Sequence, residues 1–264
     1  MTTATDSTTP ERIELEVNGT ATVVLALGDR DAPPVVYFHG AGTFHGAEFA
    51  ATWAQHFRVL MPFHPGYGES GDYDDLRDVH DLVLHYTELF DQLGLVRDVN
   101  LVGLSLGGLL AARFAIEQQH RLRRLVLCCP AGLRVPEVPV DDLFTLKPEE
   151  VVGRLVHDFG TIAKHLPADP HDVDFTVDRY RETRTTALLL WEHPFDRVIP
   201  RWLGRVTIPS MIVWGDEDRL VPPALAPHWA ALLPDATVKT FADAGHLVLD
   251  ESREAVTTIT EFFT

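Results

Sequence analysis

The residues of this 264-residue chain with the clearest chemical potential surround Ser105. An apolar, strand-like run, Val99-Asn100-Leu101-Val102, leads into Gly103-Leu104-Ser105-Leu106-Gly107, and Leu109-Leu110-Ala111-Ala112-Arg113-Phe114-Ala115-Ile116 continues as a helix-like stretch. A serine at the apex of such a strand-to-helix turn holds a strained backbone, so Gly103 and Gly107 must lack side chains that would strike strand or helix. Its hydroxyl projects into open space. The helix start points unpaired amides and its positive dipole end at negative charge developing beside that hydroxyl. Serine between glycines also occurs in ordinary loops, so the rest of the chain must decide what this one does.

A serine hydroxyl attacks poorly at neutral pH unless a base takes its proton, and imidazole suits that task because it titrates near roughly 6.5. Of the 13 histidines, position selects His246. It follows a strand-like stretch, Ala236 to Phe241, and Gly245, so it can hang from a loop over the carboxyl edge of a sheet. The base needs a carboxylate to hold its tautomer and to stabilise the imidazolium. Asp216, Glu217 and Asp218 follow directly on the strand-like Ser210-Met211-Ile212-Val213-Trp214. Together these residues suit nucleophilic attack on a carbonyl. No His-Glu-x-x-His or Cys-x-x-Cys spacing is present, so neither a metal nor another cofactor is expected. Cys128 and Cys129 lie adjacent in an apolar run and read as buried thiols, since oxidised neighbours would form a strained ring.

The elements that must position these groups follow from periodicity. Glu11 to Val17 and Thr20 to Leu27 read as strands joined by an Asn18-Gly19 hairpin turn. Pro34-Val35-Val36-Tyr37-Phe38 and Phe57 to Pro62 are strands that each run into a glycine-rich loop. Apolar residues at Leu76, Val79, Val83, Tyr86, Phe90 and Leu93 predict one buried helical face. Arg124 to Cys129 is a near-continuous apolar strand, suited to a parallel sheet covered on both faces. Strands alternating with helices predict an α/β fold. The alternation breaks between about Leu133 and Val206, far beyond the roughly two to six residues of an ordinary α/β connection. A helix predicted from Pro148 through Phe159 lies in that stretch, which reads as a lid. A helix within Ala224 to Leu233 and a last one carrying Ala255, Val256, Ile259 and Phe263 complete the pattern.

Composition bounds the function. Hydrophobic residues at 45% and charged residues at 23% are ordinary globular values, and no apolar run would span a bilayer. A net charge of -17 opposes binding to nucleic acid or anionic lipid. It suits a soluble acidic protein or adaptation to high salt. The polar first ten residues read as a loose tail without a signal-peptide pattern, and with no disulfide framework a cytoplasmic setting is the default expectation.

With His39-Gly40, Pro65-Gly66-Tyr67-Gly68-Glu69-Ser70, Gly103-Leu104-Ser105-Leu106-Gly107, Gly215-Asp216-Glu217-Asp218 with Pro222, and Gly245-His246, the chain resembles the α/β-hydrolase superfamily from Glu11 to its last residue. The order Ser, Asp, His matches that superfamily. The resemblance implies an α/β-hydrolase fold: a mostly parallel central sheet with helices on both faces and a helical lid inserted after the sixth strand. The expected organisation is a flexible tail over 1–10, a core over 11–132 and 207–264, and a lid over 133–206. The resemblance selects Asp218 over Asp216 as the acid. It implies backbone amides of Leu106 and Ala41 as the oxyanion donors, with Gly42 the fallback for the second.

His39 is expected to brace its loop, Ser70 to be structural, and His45 to be a solvated loop residue or to face substrate. His64 stands where many relatives have aspartate. Gly40, Gly42 and Trp191 are expected at the substrate, with Leu143, Phe144, Leu146, Leu155, Phe159, Phe195 and Trp202 as further candidate walls or lid packing. Arg179, Arg181 and Arg184 read either as a site for a substrate carboxylate or as a solvated helix face.

The implied activity is a serine hydrolase that forms an acyl-enzyme from a small to medium apolar ester or lactone. The alternatives are hydrolysis of a carbon–carbon bond beside a ketone, peracid formation, or a ligand receptor that keeps the triad. Carbon–carbon hydrolases often have a glycine-richer oxyanion loop and tryptophan after the histidine, where this chain has Ala41 and Leu247. Dehalogenases and epoxide hydrolases of the fold carry aspartate in place of Ser105. The expected partner is a small molecule, acting on a monomer or homodimer.

Overall fold

The computed structural model describes residues 10–43, 48–163, 165–169 and 171–264. The tail and His45 therefore fall wholly or almost wholly outside the described residues. Eight strands, β1 (Glu11–Val17), β2 (Thr20–Leu27), β3 (Pro34–Phe38), β4 (Arg58–Pro62), β5 (Val99–Leu104), β6 (Leu122–Cys128), β7 (Ser210–Gly215) and β8 (Ala236–Phe241), form one sheet. Their order is β1-β2-β4-β3-β5-β6-β7-β8. The β1–β2 and β2–β4 pairs are antiparallel and the rest parallel. The β1–β2 turn places Asn18 and Gly19 at φ 50° and 78°, the left-handed conformation these two residue types adopt most readily. This is the α/β-hydrolase fold.

The helices are α1 (Phe49–Trp53), α2 (Val79–Gln92), α3 (Leu106–Gln118), α4 (Pro148–Leu155), α5 (Gly160–Ala163), α6 (Val173–Leu190), α7 (Ile199–Trp202), α8 (Ala226–Ala230), α9 (Val248–Glu251) and α10 (Arg253–Phe263). Every residue of β5 and β7 is buried, which requires cover on both faces of the sheet. Helix α2 starts three residues after Leu76. Asp78 accepts from the N–H groups of His80 and Asp81, and Asp81 accepts from the N–H of Asp78, so a capping box fixes the start and leaves Leu76 buried in the preceding loop.

Between β6 and β7 the chain inserts α4 to α7. Helix α4 stops at Leu155, short of the predicted Phe159, because the Leu155 carbonyl accepts a 2.9 Å bond from the Leu247 N–H and Val156 turns extended. Phe159 is consequently exposed. Helix α6 runs unbroken for 18 residues in a stretch whose sequence shows no single apolar helical period. It buries Glu182, Thr185, Thr186 and Leu189, a spacing of three, four and seven that marks a helical face written largely in polar residues. No helix among the described residues is long and apolar enough to cross a membrane.

Candidate active site

The loops that leave β3, β5, β6, β7 and β8 share the carboxyl edge of the sheet, where ligands bind in folds of this type. Ser105 lies between β5 and α3 with φ 55° and ψ -115°. A non-glycine residue held there stores on the order of 1–3 kcal/mol of strain, so its surroundings must fix it. They do so through three backbone bonds: Ser105 N–H donates to the Cys128 carbonyl at 2.9 Å, and its own carbonyl accepts from Leu109 and Ala131 at 3.0 Å each. The flanking glycines are steric requirements. A Cβ at Gly107 would lie 2.1 Å from the Phe38 carbonyl oxygen, and one at Gly103 would lie 2.2 Å from that of Gly107.

His246 follows β8 and is buried. Its Nδ1 lies 2.8 Å from Asp218 Oδ2, so the Nδ1–H donates to the carboxylate and Nε2 is left with its lone pair. Nε2 is buried and has no hydrogen-bond partner among the described residues. The Asp218 carboxylate also accepts from Leu220 N–H at 2.9 Å, Val221 N–H at 2.8 Å and the Trp214 indole N–H at 3.2 Å. Asp216 is exposed and its N–H serves the Phe241 carbonyl instead. The fold therefore brings Asp218, and not Asp216, to His246. Gly215 permits this approach, since a Cβ there would sit 2.2 Å from the Ala244 carbonyl oxygen.

Ser105 and His246 line one cavity of about 1730 Å³, together with Gly40, Ala41, Gly42 and Trp191. No hydrogen bond joins Ser105 to His246 here; such contacts are often long before substrate binds. A Cβ at Gly40 would be 3.4 Å from Ser105 Cβ, which puts this loop against the serine. Leu106 is the first residue of α3, so its N–H has no intrahelical acceptor. Leu143, Phe144, Leu146, Leu155 and Phe195 also line the cavity, and Phe144 packs its ring 5.3 Å from that of Trp191. Two expected wall residues lie elsewhere. Phe159 falls beyond the end of α4 and is exposed, while Trp202 sits half-exposed on α7 with Arg205 over its ring.

Beneath the β3 loop two histidines stack, with ring centroids 3.7 Å apart. His39 Nδ1 donates to the Gly40 carbonyl at 2.7 Å and Nε2 accepts from the His64 N–H at 2.9 Å. His64 Nε2 donates to the His39 carbonyl at 2.8 Å, and its Nδ1 accepts from the Tyr86 hydroxyl. Burial holds the His39 pKa down to about 4 and pushes that of His64 well below the usual imidazole range. Both rings are neutral braces. Ser70 accepts from the Val23 N–H and donates to the Phe63 carbonyl, closing the next loop.

The three arginines of α6 form neither a solvated face nor a single cluster. Arg181 bonds Asp72 and the carbonyls of Gly68 and Ser70, Arg179 pairs with Glu182 at 2.8 Å, and Arg184 is exposed. Glu182, missed in the sequence, is buried and accepts from the N–H groups of Thr43 at 3.1 Å and Gly68 at 3.2 Å and from the Thr43 hydroxyl. Desolvation raises its pKa, against the lowering effects of Arg179 and these donors. Sequence had a signal for it, the helical spacing shared with Thr185, Thr186 and Leu189.

Cys128 and Cys129 are free, buried thiols whose pKa values burial raises. Potential ligand atoms of Cys129, Asp218 and His246 lie within 4.8 Å of one another, the one such group of three among the described residues. A carboxylate offers about four lone-pair directions, and four N–H donors already meet that of Asp218. The cluster is thus fitted to hold an imidazole rather than a cation.

A strained serine on the β5–α3 turn, and an imidazole braced by a carboxylate from the next loops, are features of the α/β-hydrolase enzymes. The chain belongs to the alpha/beta hydrolase family, whose model matches residues 35–258. It is 27% identical over 250 residues to a 2-hydroxy-6-oxo-2,4-heptadienoate hydrolase of Pseudomonas putida, covering 87% of this chain and 88% of the relative. It is 26% identical over 291 residues to a 2-hydroxy-6-oxo-6-phenylhexa-2,4-dienoate hydrolase of Burkholderia cepacia, covering 98% of each. Among solved structures, a thermophilic esterase from Thermogutta terrifontis superposes with a TM-score of 0.74 at 23% identity, over 96% of this chain and 97% of the other.

Proposed function

We propose that this protein is a serine hydrolase that cleaves small to medium apolar esters or lactones through an acyl-enzyme. The observation that carries the reading is the buried Nε2 of His246, without a hydrogen-bond partner among the described residues, on a ring that lines the same cavity as Ser105 while Asp218 fixes its opposite nitrogen. In this reading Ser105 Oγ attacks the carbonyl carbon as His246 Nε2 takes its proton. The Asp218 carboxylate stabilises the imidazolium.

Negative charge then gathers on the carbonyl oxygen, and the N–H groups of Leu106 and Ala41 are suited to receive it. Collapse of the tetrahedral species expels the alcohol, which takes the proton from His246. Water, deprotonated by the same nitrogen, attacks the ester on Ser105; collapse releases the acid and returns the proton to Oγ. The residues that make up this site call for no metal or cofactor step.

Turnover of short p-nitrophenyl esters tests the assignment. It should vanish in Ser105→Ala, and persistence at the wild-type rate would overturn it. Hydrolysis of a carbon–carbon bond beside a ketone is a second reading, supported by the names of the Pseudomonas and Burkholderia relatives. Turnover of a 2-hydroxy-6-oxo-dienoate with no ester turnover would establish it in place of the first.

A further inference from the structure

The cavity wall carries charge in a restricted way. Of the arginines and carboxylates that line it among the described residues, four are not exposed: Arg113, Asp196, Arg179 and Glu182. They form two ion pairs within the wall, Arg113 with Asp196 at 2.6 Å and Arg179 with Glu182 at 2.8 Å. The carboxylates are nearly inaccessible, at 7% and 3% side-chain exposure.

The second pair sits at the loop that touches the serine. A Cβ at Gly42 would lie 3.4 Å from Arg179 Nη1, and Gly40, two residues earlier, packs on Ser105. Such a wall presents no net charge from its sheltered groups. A charged ligand held against these sheltered groups would lose hydration without gaining an unmatched counter-ion from them, and an uncharged one escapes that penalty.

We propose that Glu182 is a specificity-determining residue, whose charge balances the wall beside Ser105 so that the site takes uncharged acyl groups and disfavours acyl groups bearing a carboxylate. The inference deepens the ester-hydrolase reading and rests on it. Glu182 also clamps the β3 loop through Thr43 and the β4 loop through Gly68, so its replacement will slow every substrate to some extent. A ratio between two substrates cancels that common loss. Removing its charge makes the wall more positive by one unit whatever else Arg179 contacts.

The test compares kcat/KM for p-nitrophenyl butyrate with that for the hemisuccinate mono-p-nitrophenyl ester, of similar length but with a terminal carboxylate. Wild type should favour the neutral ester by at least about tenfold, and Glu182→Gln should narrow the preference by about tenfold, a change of one factor of ten per ~1.4 kcal/mol. Arg179→Gln, which leaves the carboxylate, should widen it. If either variant does not fold, the other decides alone. A wild-type preference for the anionic ester, or a ratio unmoved in a folded variant while turnover remains Ser105-dependent, overturns this proposal and leaves the hydrolase reading intact. Loss of all Ser105-dependent turnover in wild type would remove both.

Discussion

The stacked histidines under the β3 loop make stability depend on pH in a calculable way. His39 donates from Nδ1 to Gly40 and accepts at Nε2 from the His64 N–H, so a second proton on the ring must break the latter bond and bury a charge 3.7 Å from another imidazole. Its folded-state pKa of about 4 lies below the ordinary 6.5. At pH 7.5 the ring is neutral in both states. As pH falls through 6.5 the unfolded chain takes up a proton that the folded chain refuses until about 4, so stability is lost across that window.

The roughly two pH units between 6.5 and 4.5, at ~1.4 kcal/mol each, make the loss at pH 4.5 about 2–3 kcal/mol. Other groups contribute, including Glu182, whose raised pKa acts in the opposite sense as pH rises past 4.5. Comparison with His39→Gln removes what the two proteins share. Urea unfolding at pH 7.5 and 4.5 should find wild type the more stable at the higher pH and the gap smaller by about 2–3 kcal/mol at the lower. A gap that stays constant between those pH values would refute the assignment of a neutral, buried His39.

Further expectations concern single positions. Gly107→Ala should destabilise by about 3 kcal/mol or more, since its Cβ meets the Phe38 and His39 carbonyl oxygens at 2.1 and 2.4 Å and must lift α3 off the sheet. Gly153→Ala, exposed in α4 with open space around its Cβ, should instead stabilise by about 0.5–1 kcal/mol, as measured by the same unfolding assay. Asp218→Asn should lower kcat for a p-nitrophenyl ester on the order of 10³–10⁴-fold by disturbing the His246 tautomer. Asp216→Asn should leave kcat unchanged, and equal losses in the two variants would reverse the choice of acid.

Much of the frame is legible in the sequence because its signals are local. Asn18-Gly19 specifies a turn, the apolar run of β5 specifies a doubly covered strand, and Gly103 answers to contacts with Gly107 and Ala111 that the turn itself creates, whereas Gly107 answers to the Phe38 and His39 carbonyls of the neighbouring strand and its loop. Strand position singles out His246, a few residues after β8, and the acidic run Asp216 to Asp218 after β7, while the choice of Asp218 within that run comes from the family resemblance. Helix α6 was obscure since the side chains it buries are Glu182, Thr185 and Thr186, polar types that a search for apolar periodicity passes over. Their partners, Thr43, Gly66, Tyr67 and Gly68, come from distant loops. The early end of α4 was hidden for a similar reason, because its last carbonyl is taken by Leu247, 92 positions further along the chain. His64 shows the same dependence, where a departure from the family pattern becomes intelligible only once His39 and Tyr86 are seen on either side of it.

The central claim is that Ser105 Oγ is the atom that becomes acylated. Reaction with a fluorophosphonate, followed by proteolysis and mass spectrometry of the peptides, measures this directly. The account predicts one adduct per chain, on Ser105, formed orders of magnitude more slowly in His246→Ala and absent from Ser105→Ala. An adduct on another residue, or equal labelling of wild type and Ser105→Ala, would contradict it.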